Sequence, residues 1–448
     1  MDLARKHSPK ALTMYLMDFG TNGLAPLSKL PQVADTMLLD QTEKISKFVR
    51  IMERELNRRK KLLADYGVGT LDLYRQASGQ EEPAIVILLD SYEAFKEEAY
   101  EAELFKLLVR ISREGLSIGV HLLMTAGRQT NLRAQLYSNF KHQLSLPQNE
   151  AGEVRAIVGS TPLAMTMEDI KGRALMKREE VDVIQLALPV YGANDTQVLN
   201  NLRQAVASLQ EAWTGQRPSA IPMVPEELTE KDFYSRASVQ TAYENGLVPL
   251  GLDLETVEPV IWNLAKGNLL YLTDKEEQMT ALVKHIAKGK QKVIVLAPKY
   301  HSLPEMEGVT IISNSEDYLS AIASIEKRIN ERLEQNEREH VATVVVYNLI
   351  ELVSELNSEA LDTLAYVLDK GIRAGYGSIV MSSPLITKHI DVISKTARSY
   401  KQAILALRLS DQSILTVTNR PVREPQLEEQ EHYYVSDGLA SKMKVLMI

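Results

Sequence analysis

From residue 267 onward, short apolar runs alternate with longer amphipathic stretches. GNLLYL (267–272), KVIVLA (292–297), VTIIS (309–313), ATVVVY (342–347), GSIVMSS (377–383) and QAILALRL (402–409) are apolar without strict alternation, the pattern of strands covered on both faces. Between them lie EEQMTALVKHIAKG, stopped by Gly289, then SEDYLSAIASIEKRINERLEQNE and EALDTLAYVLDKGIRAG. These carry apolar residues at helical spacing, with Glu, Lys and Arg on the wet face. Ser315 is expected to cap the long helix, and another helix is expected from Ile386 to Arg398. Apolar strands separated by amphipathic helices predict a mostly parallel sheet flanked by helices.

The same order occurs earlier in the chain. LTMYLMDFG answers KVIVLAPKY, KISKFVRIMERELNRRKKLL answers YLSAIASIEKRINERLEQNE, and REGLSIGVHLLMTAG answers DKGIRAGYGSIVMSSP. FKHQLSLPQ answers YKQAILALRLSD, and so should form the matching sheet strand. Repetition on this scale means two duplicated domains. TGQRPSAIPMVPEEL, with three Pro in fifteen residues, cannot be regular structure. The expected division is therefore a first domain at 1–214, a linker at 215–228 and a second domain at 229–448. In the second copy a strand, a loop and a helix start (267–280) precede KVIVLA, whereas the first copy opens at Met1 already inside that helix. The first domain is thus read as N-terminally incomplete, either natively or, as expected, because its first strand and loop are encoded upstream.

Composition narrows the function classes. Hydrophobic residues make up 45% and charged residues 25% of the 448, as in an ordinary globular protein. No apolar run approaches the roughly 20 residues of a membrane span, and the N-terminus has no signal-peptide layout. Zero Cys excludes disulfides and thiolate metal sites, and eight scattered His form no HxxxH or HExxH pattern. The net charge of −8 argues against a non-specific grip on nucleic acid.

The candidate chemistry is that of a phosphate-binding loop and a metal-binding acid. In P-loop NTPases G-x-x-x-x-G-K-[ST] follows the first strand, its backbone N–H groups cradle phosphates, and its hydroxyl binds Mg²⁺. A later apolar strand ends in the Asp that holds the metal. IVILLDSYEAF fits that second role with Asp90, although an Asp at a strand end can equally well cap the following turn. In the second copy the loop position reads TDKEEQMT, Thr273 to Thr280. Thr273 and Gln278 replace the glycines, Met279 replaces the Lys, and only Thr280 survives. Asp274, Glu276 and Glu277 surround Lys275 where phosphates would sit, and like charges at such range cost on the order of 1 kcal/mol each. TVVVYNLIEL then sets Asn348 in the expected place of the acid. The second copy is read as a fold that has lost its chemistry.

LMDFGTNGLAPLSKLPQVAD, IVILLDSYEAF, SREGLSIGVHLLMTAGR and VPLGLDLETVEPVIWNLAKGNLLYL together resemble the FtsK/SpoIIIE class of P-loop motors. Within it they are most similar to the type VII secretion ATPases of the EssC/YukB type, across nearly the whole chain. The resemblance implies two tandem RecA-like domains, the penultimate and last of a membrane-anchored motor in a Gram-positive bacterium. It implies a cytoplasmic location for this part, with ATP and Mg as cofactors of the whole protein. Small helical WXG-type secreted proteins, bound through a C-terminal signal, other secretion components and a homo-hexamer are the implied partners, with no nucleic acid. Position by position, Asp90 corresponds to the metal acid, Thr125 to a sensor-strand residue and Arg128 to a phosphate or subunit contact. Thr273, Lys275, Thr280 and Asn348 correspond to the degenerate second site. Ser91 stands where a catalytic Glu usually follows the Asp, and Ser382 and Pro384 stand without the Arg.

Plainer readings accompany these. Arg128 can be a solvated loop residue, Trp262 a core or edge aromatic, RRKKLL a positive helix end meeting its dipole, and Glu428, Glu429 and Glu431 solvated acids. A double-stranded DNA translocase of the same superfamily and a structural scaffold remain as alternative functions.

Overall fold

The computed structural model describes residues 1–289, 291–301, 303–421 and 424–447. They form two compact units, Met1–Ile221 and Pro222–Ile448, and the division falls inside the Pro-rich stretch 215–228. Residues 213–228 carry no helix or strand. Among the described residues no helix is long and apolar enough to cross a membrane.

In the first unit, β1 (Leu12–Asp18), β2 (Val33–Leu38), β3 (Ala84–Asp90) and β4 (Val120–Met124) form a parallel sheet in the order β2-β1-β3-β4. The Thr42–Asp65 helix buries Ile45, Phe48, Met52, Leu56 and Leu63 from one stripe, and the Glu101–Glu114 helix buries Leu104, Leu107, Leu108 and Ile111. Burying one such side chain contributes about 1.5–3 kcal/mol. Val206, from the Asp195–Ala212 helix, joins Leu12, Met14 and Leu16 of β1 in a separate cluster. β5 (Gln143–Ser145), β6 (Arg173–Lys177) and β7 (Val181–Gln185) make a small antiparallel sheet of their own.

The second unit is built on ten strands. These are β8 (Val248–Asp253), β9 (Pro259–Trp262), β10 (Leu269–Leu272), β11 (Lys292–Leu296), β12 (Val309–Ile312), β13 (Ala342–Val346), β14 (Tyr376–Ser382), β15 (Gln402–Leu405), β16 (Glu431–Ser436) and β17 (Leu439–Lys444). Their order is β12-β11-β13-β14-β10-β15-β16-β17-β8-β9. The first six pair in parallel, as the unalternated apolar runs predict, and the last four are antiparallel. Alternate residues of β13 feed two cores, Val344 and Val346 on one face and Val345 on the other.

Three expectations need correction, and one element was not foreseen. FKHQLSLPQ supplies β5 of the small antiparallel sheet. Its counterpart β15 pairs in parallel with β10, and among the described residues the first unit has no strand in β10's place. The long helix Ser315–Glu334 is capped by Asn314, whose side chain accepts the Glu316 N–H at 3.4 Å. The β16–β17 hairpin was missed, although Asp437-Gly438, both left-handed at φ 51° and 78°, is a standard two-residue hairpin signal. Finally, Glu431 is mostly buried and pairs with Lys442 at 2.6 Å, so it is not merely solvated, whereas Glu428 and Glu429 are largely exposed and reach Lys444 and Lys275 only at 3.8 Å. Trp262 is a core aromatic, 1% exposed, with its N–H donated to the Gly267 carbonyl.

Candidate functional site

In a parallel sheet covered by helices, ligands bind where loops leave the C-terminal ends of the strands. In the first unit that edge brings Asp90 and Thr125 together. Asp90 is the last residue of β3, and its Oδ1 accepts the Thr125 hydroxyl at 2.7 Å. Thr125 Oγ1 in turn accepts the Ser91 N–H at 3.0 Å. Asp18, the register partner of Asp90 on β1, turns its loop by accepting the N–H groups of Leu24 and Ala25. That loop passes close over Asp90, because a Cβ on Gly20 would lie 2.5 Å from Asp90 Oδ2. Glu93 accepts the Gly127 N–H at 3.0 Å and so ties the turn after β3 to the loop after β4. Arg128 is more than half exposed and pairs with Glu153 at 3.2 Å. The structure thus joins Asp90 to Thr125 but gives Arg128 a protein partner. Asp18, Gly20 and Glu93 were missed by the sequence reading, although DFGTNG directly after an apolar strand was a signal for the first two. The donor set at Asp90 fits the strand-end half of a Mg–nucleotide site, with one carboxylate oxygen engaged by Thr125 and the other facing the Gly20 loop.

The second unit keeps the strand but differs in the side chains around its end. The stretch read as a phosphate loop is largely helix. Only 273–275 connect β10 to the Glu276–Ala287 helix, so Gln278, Met279 and Thr280 lie inside it. Thr273 is buried, its hydroxyl donates to Gln278 Oε1, and it accepts the Lys275 N–H at 3.1 Å. Met279, in the Lys position, is 4% exposed in the core. Lys275 points instead to Glu429.

The backbone also shifts the expected place of the acid by one residue. Ile85 pairs with Val120 just after Gly119, and Ala342 pairs with Tyr376 just after Gly375, both glycines being left-handed. Continuing along each strand from these pairs sets Asp90 level with Tyr347 and Ser91 level with Asn348. Ser91 at φ 60° and Asn348 at φ 47° confirm the match, since each is a left-handed residue opening a short helix. Asn348 is therefore the counterpart of Ser91, and Tyr347 replaces the acid. The sequence alone misled because Asn is isosteric with Asp.

Tyr347 is fully buried, and its hydroxyl lies 2.8 Å from Thr280 Oγ1 and donates to the Glu276 carbonyl at 3.2 Å. Burial pushes its phenol up to about 12, so it stays neutral. In a P-loop enzyme the Ser/Thr hydroxyl and the strand-end Asp hold one Mg²⁺ between them. Here the two side chains at those positions bond directly to each other. The residues do not fit a Mg–ATP group. Ser382 is buried and Pro384 opens a 3₁₀ turn, so neither offers a cation.

The sequence pattern of the FtsK/SpoIIIE family matches residues 1–163. The type VII secretion system protein EssC of Staphylococcus aureus (strain MRSA252) is 26% identical over 456 residues, covering 99% of this chain and 30% of that protein. The chain therefore spans about a third of the length of such relatives. The structure of EssC (ATPases 2 and 3) from Geobacillus thermodenitrificans matches with a TM-score of 0.89 at 28% identity, over 99% of this chain and 87% of that one. Thermomonospora curvata EccC (ATPases 2 and 3), solved in complex with a signal sequence peptide, shares the fold at a TM-score of 0.57 and 19% identity, over 100% of this chain and 84% of that one. Residues 1–163 thus carry the FtsK/SpoIIIE sequence pattern, and the chain as a whole is homologous to the tandem ATPase domains of EssC-type secretion proteins.

Proposed function

We propose that the chain is part of a type VII secretion motor in which the second unit has exchanged ATP chemistry for recognition or regulation. The observation that carries this reading is the Thr280–Tyr347 bond, which fills the place of the metal with protein. The first unit keeps Asp90 and Thr125 for Mg–ATP, to be used once a phosphate cradle is supplied beside them. The second unit binds a C-terminal helical signal of small secreted WXG-type proteins, and the whole protein works as a membrane-anchored hexamer. The peptide bound by the Thermomonospora relative supports this choice of partner.

Two titrations of the full chain test the reading. A fluorescent ATP analogue with Mg²⁺ should show no micromolar binding, and calorimetry with cognate WXG-type proteins should show binding. Micromolar nucleotide affinity lost on Thr280→Ala would end the pseudo-ATPase reading, and silence with every secreted partner would end the recognition role.

A further inference from the structure

Three loops leave the parallel edge of the second unit's sheet around Tyr347, and one side chain joins them. His301, on the loop after β11, is 11% exposed. Its Nδ1 meets Glu276 Oε1, at the start of the helix after β10, and its Nε2 lies 2.5 Å from Glu351 Oε2, on the helix after β13. The ring packs at 5.7 Å from that of Tyr347, and Asn348 Nδ2 lies 3.4 Å from Nε2. An ionised carboxylate only accepts hydrogen bonds, so a ring with one against each nitrogen has both nitrogens protonated. The imidazolium places a positive charge at an edge that has lost the Lys and the Mg²⁺. The carboxylates face opposite sides of the ring and do not converge on a point, so the trio is no cation site. Among the described residues no group of three or more His, Asp or Glu is placed to hold a metal.

We propose that His301 is a proton-operated latch: as imidazolium it fastens the loops after β10, β11 and β13 together over the degenerate site, and loss of its proton releases them. This rests on the reading that the second unit does not take Mg–ATP. The charged and titratable groups on the surrounding elements are Glu276 and Glu277 of one helix, Glu351 and Glu355 of the other, Tyr347 and, on its own loop, Lys299. Glu355 is already engaged, accepting the Lys299 N–H at 3.1 Å and the Tyr318 hydroxyl at 2.9 Å. Tyr347 stays neutral. Glu276 and Glu351 are left to act on the ring. Burial works against the charged ring, but hydrogen bonds and charge from these two carboxylates outweigh it and raise His301 above the ordinary imidazole range. A raised pKa gives stability that is complete below about pH 6.5 and lost as pH rises through the folded-state value.

The test uses the full chain as wild type, His301→Gln and the double variant E276Q/E351Q. At pH 6 both variants should lower the Tm of the second unit by roughly 2–4 °C. They should also speed hydrogen exchange about tenfold in 273–280, 297–301 and 347–352. By pH 9 wild type should have converged on the variants. A difference of the same size at every pH, or none at any pH, overturns the latch. Both carboxylates are more than half exposed, so should His301→Gln fail to fold, the double variant decides alone. Binding of the ATP analogue by wild type, with the pH dependence intact, would end the degenerate-site reading and spare the latch. Absence of nucleotide binding with pH-independent exchange would end the latch alone.

Discussion

At the end of β3 a carboxylate, Asp90, receives the Thr125 hydroxyl at 2.7 Å. At the end of β13 a phenol, Tyr347, meets the Thr280 hydroxyl at 2.8 Å. The strands before them have the same register and the residues after them the same left-handed turn, so one backbone presents a carboxylate in the first unit and a phenol in the second. What maintains the backbone is the sheet. Val344, Val345 and Val346 are fully buried between two cores. The free edges teach the converse. Every residue of β14 is buried, flanked by β13 and β10, whereas β4 has one described neighbour and leaves Leu123 61% exposed.

Paired substitutions can break or sharpen this likeness, and the largest difference should come from two arginines. Arg59 is 1% exposed, paired with Glu55 at 2.7 Å and Glu82 at 3.3 Å, and bonded to the carbonyls of Pro83 and Ile118. Arg332 does the same work in the second unit, bonding the Ala374 and Glu339 carbonyls, but is 19% exposed. Arg59→Met should cost about 2–4 kcal/mol, since it leaves the Ile118 and Pro83 carbonyls unpaired, while Arg58 still pairs with Glu55 and Glu82. Arg332→Met should cost about 1–2 kcal/mol, because water reaches its partners. Equal losses by denaturant titration would remove the distinction.

The left-handed glycines ahead of β4 and β14 come next. A Cβ on Gly375 would meet the Glu339 carbonyl oxygen at 1.9 Å, which is backbone. On Gly119 it would meet a Leu71 methyl at 2.2 Å, a side chain that can turn away. Gly375→Ala should cost about 3 kcal/mol, combining left-handed strain with a clash, and Gly119→Ala about 1–2 kcal/mol.

Acidification separates the units in another way. Burial lowers His285 and His432, both in the second unit, to about 4. A depressed imidazole leaves the native state without the proton that the unfolded chain takes up. Stability therefore falls as pH drops from about 6.5 toward 4, on the order of 2 kcal/mol for each group. Calorimetry across that range should show the second unit's transition moving down more than the first's. This window lies below the one in which His301 acts.

The smallest effect should come from Tyr347→Phe, which removes one hydroxyl and its bonds to Thr280 and the Glu276 carbonyl, about 1 kcal/mol by thermal melting. It should leave nucleotide binding absent, because the helix beginning at Glu276 still occupies the place of the loop.

The apolar runs were enough to read the duplication, the six parallel strands of the second unit and β1, β3 and β4 of the first, whereas β2, with Asp35 and Thr36 in its middle, was not read. Asp90 was legible from the same runs, since a strand end is where an apolar run stops, whereas Thr125 came only from the resemblance to FtsK/SpoIIIE motors. The antiparallel strands β8, β9, β16 and β17 were harder, since they are short and carry polar residues at the sheet margin. Within them only Asp437-Gly438 spoke plainly.

The sequence by itself determined the fold class, the two-unit plan and the Pro-rich joint, since each depends on local composition or period. Tertiary structure decided the rest. Whether Tyr347 or Asn348 replaces the acid depended on sheet register and on which residue turns left-handed, neither of which residue identity shows. That FKHQLSLPQ leaves the main sheet depended on which strand lies beside it. The meeting of His301 with Glu276 and Glu351 depended on three loops, distant in sequence, ending at one edge. Register, neighbours and loop convergence are long-range properties, and a chain read in one dimension carries no coordinate for them.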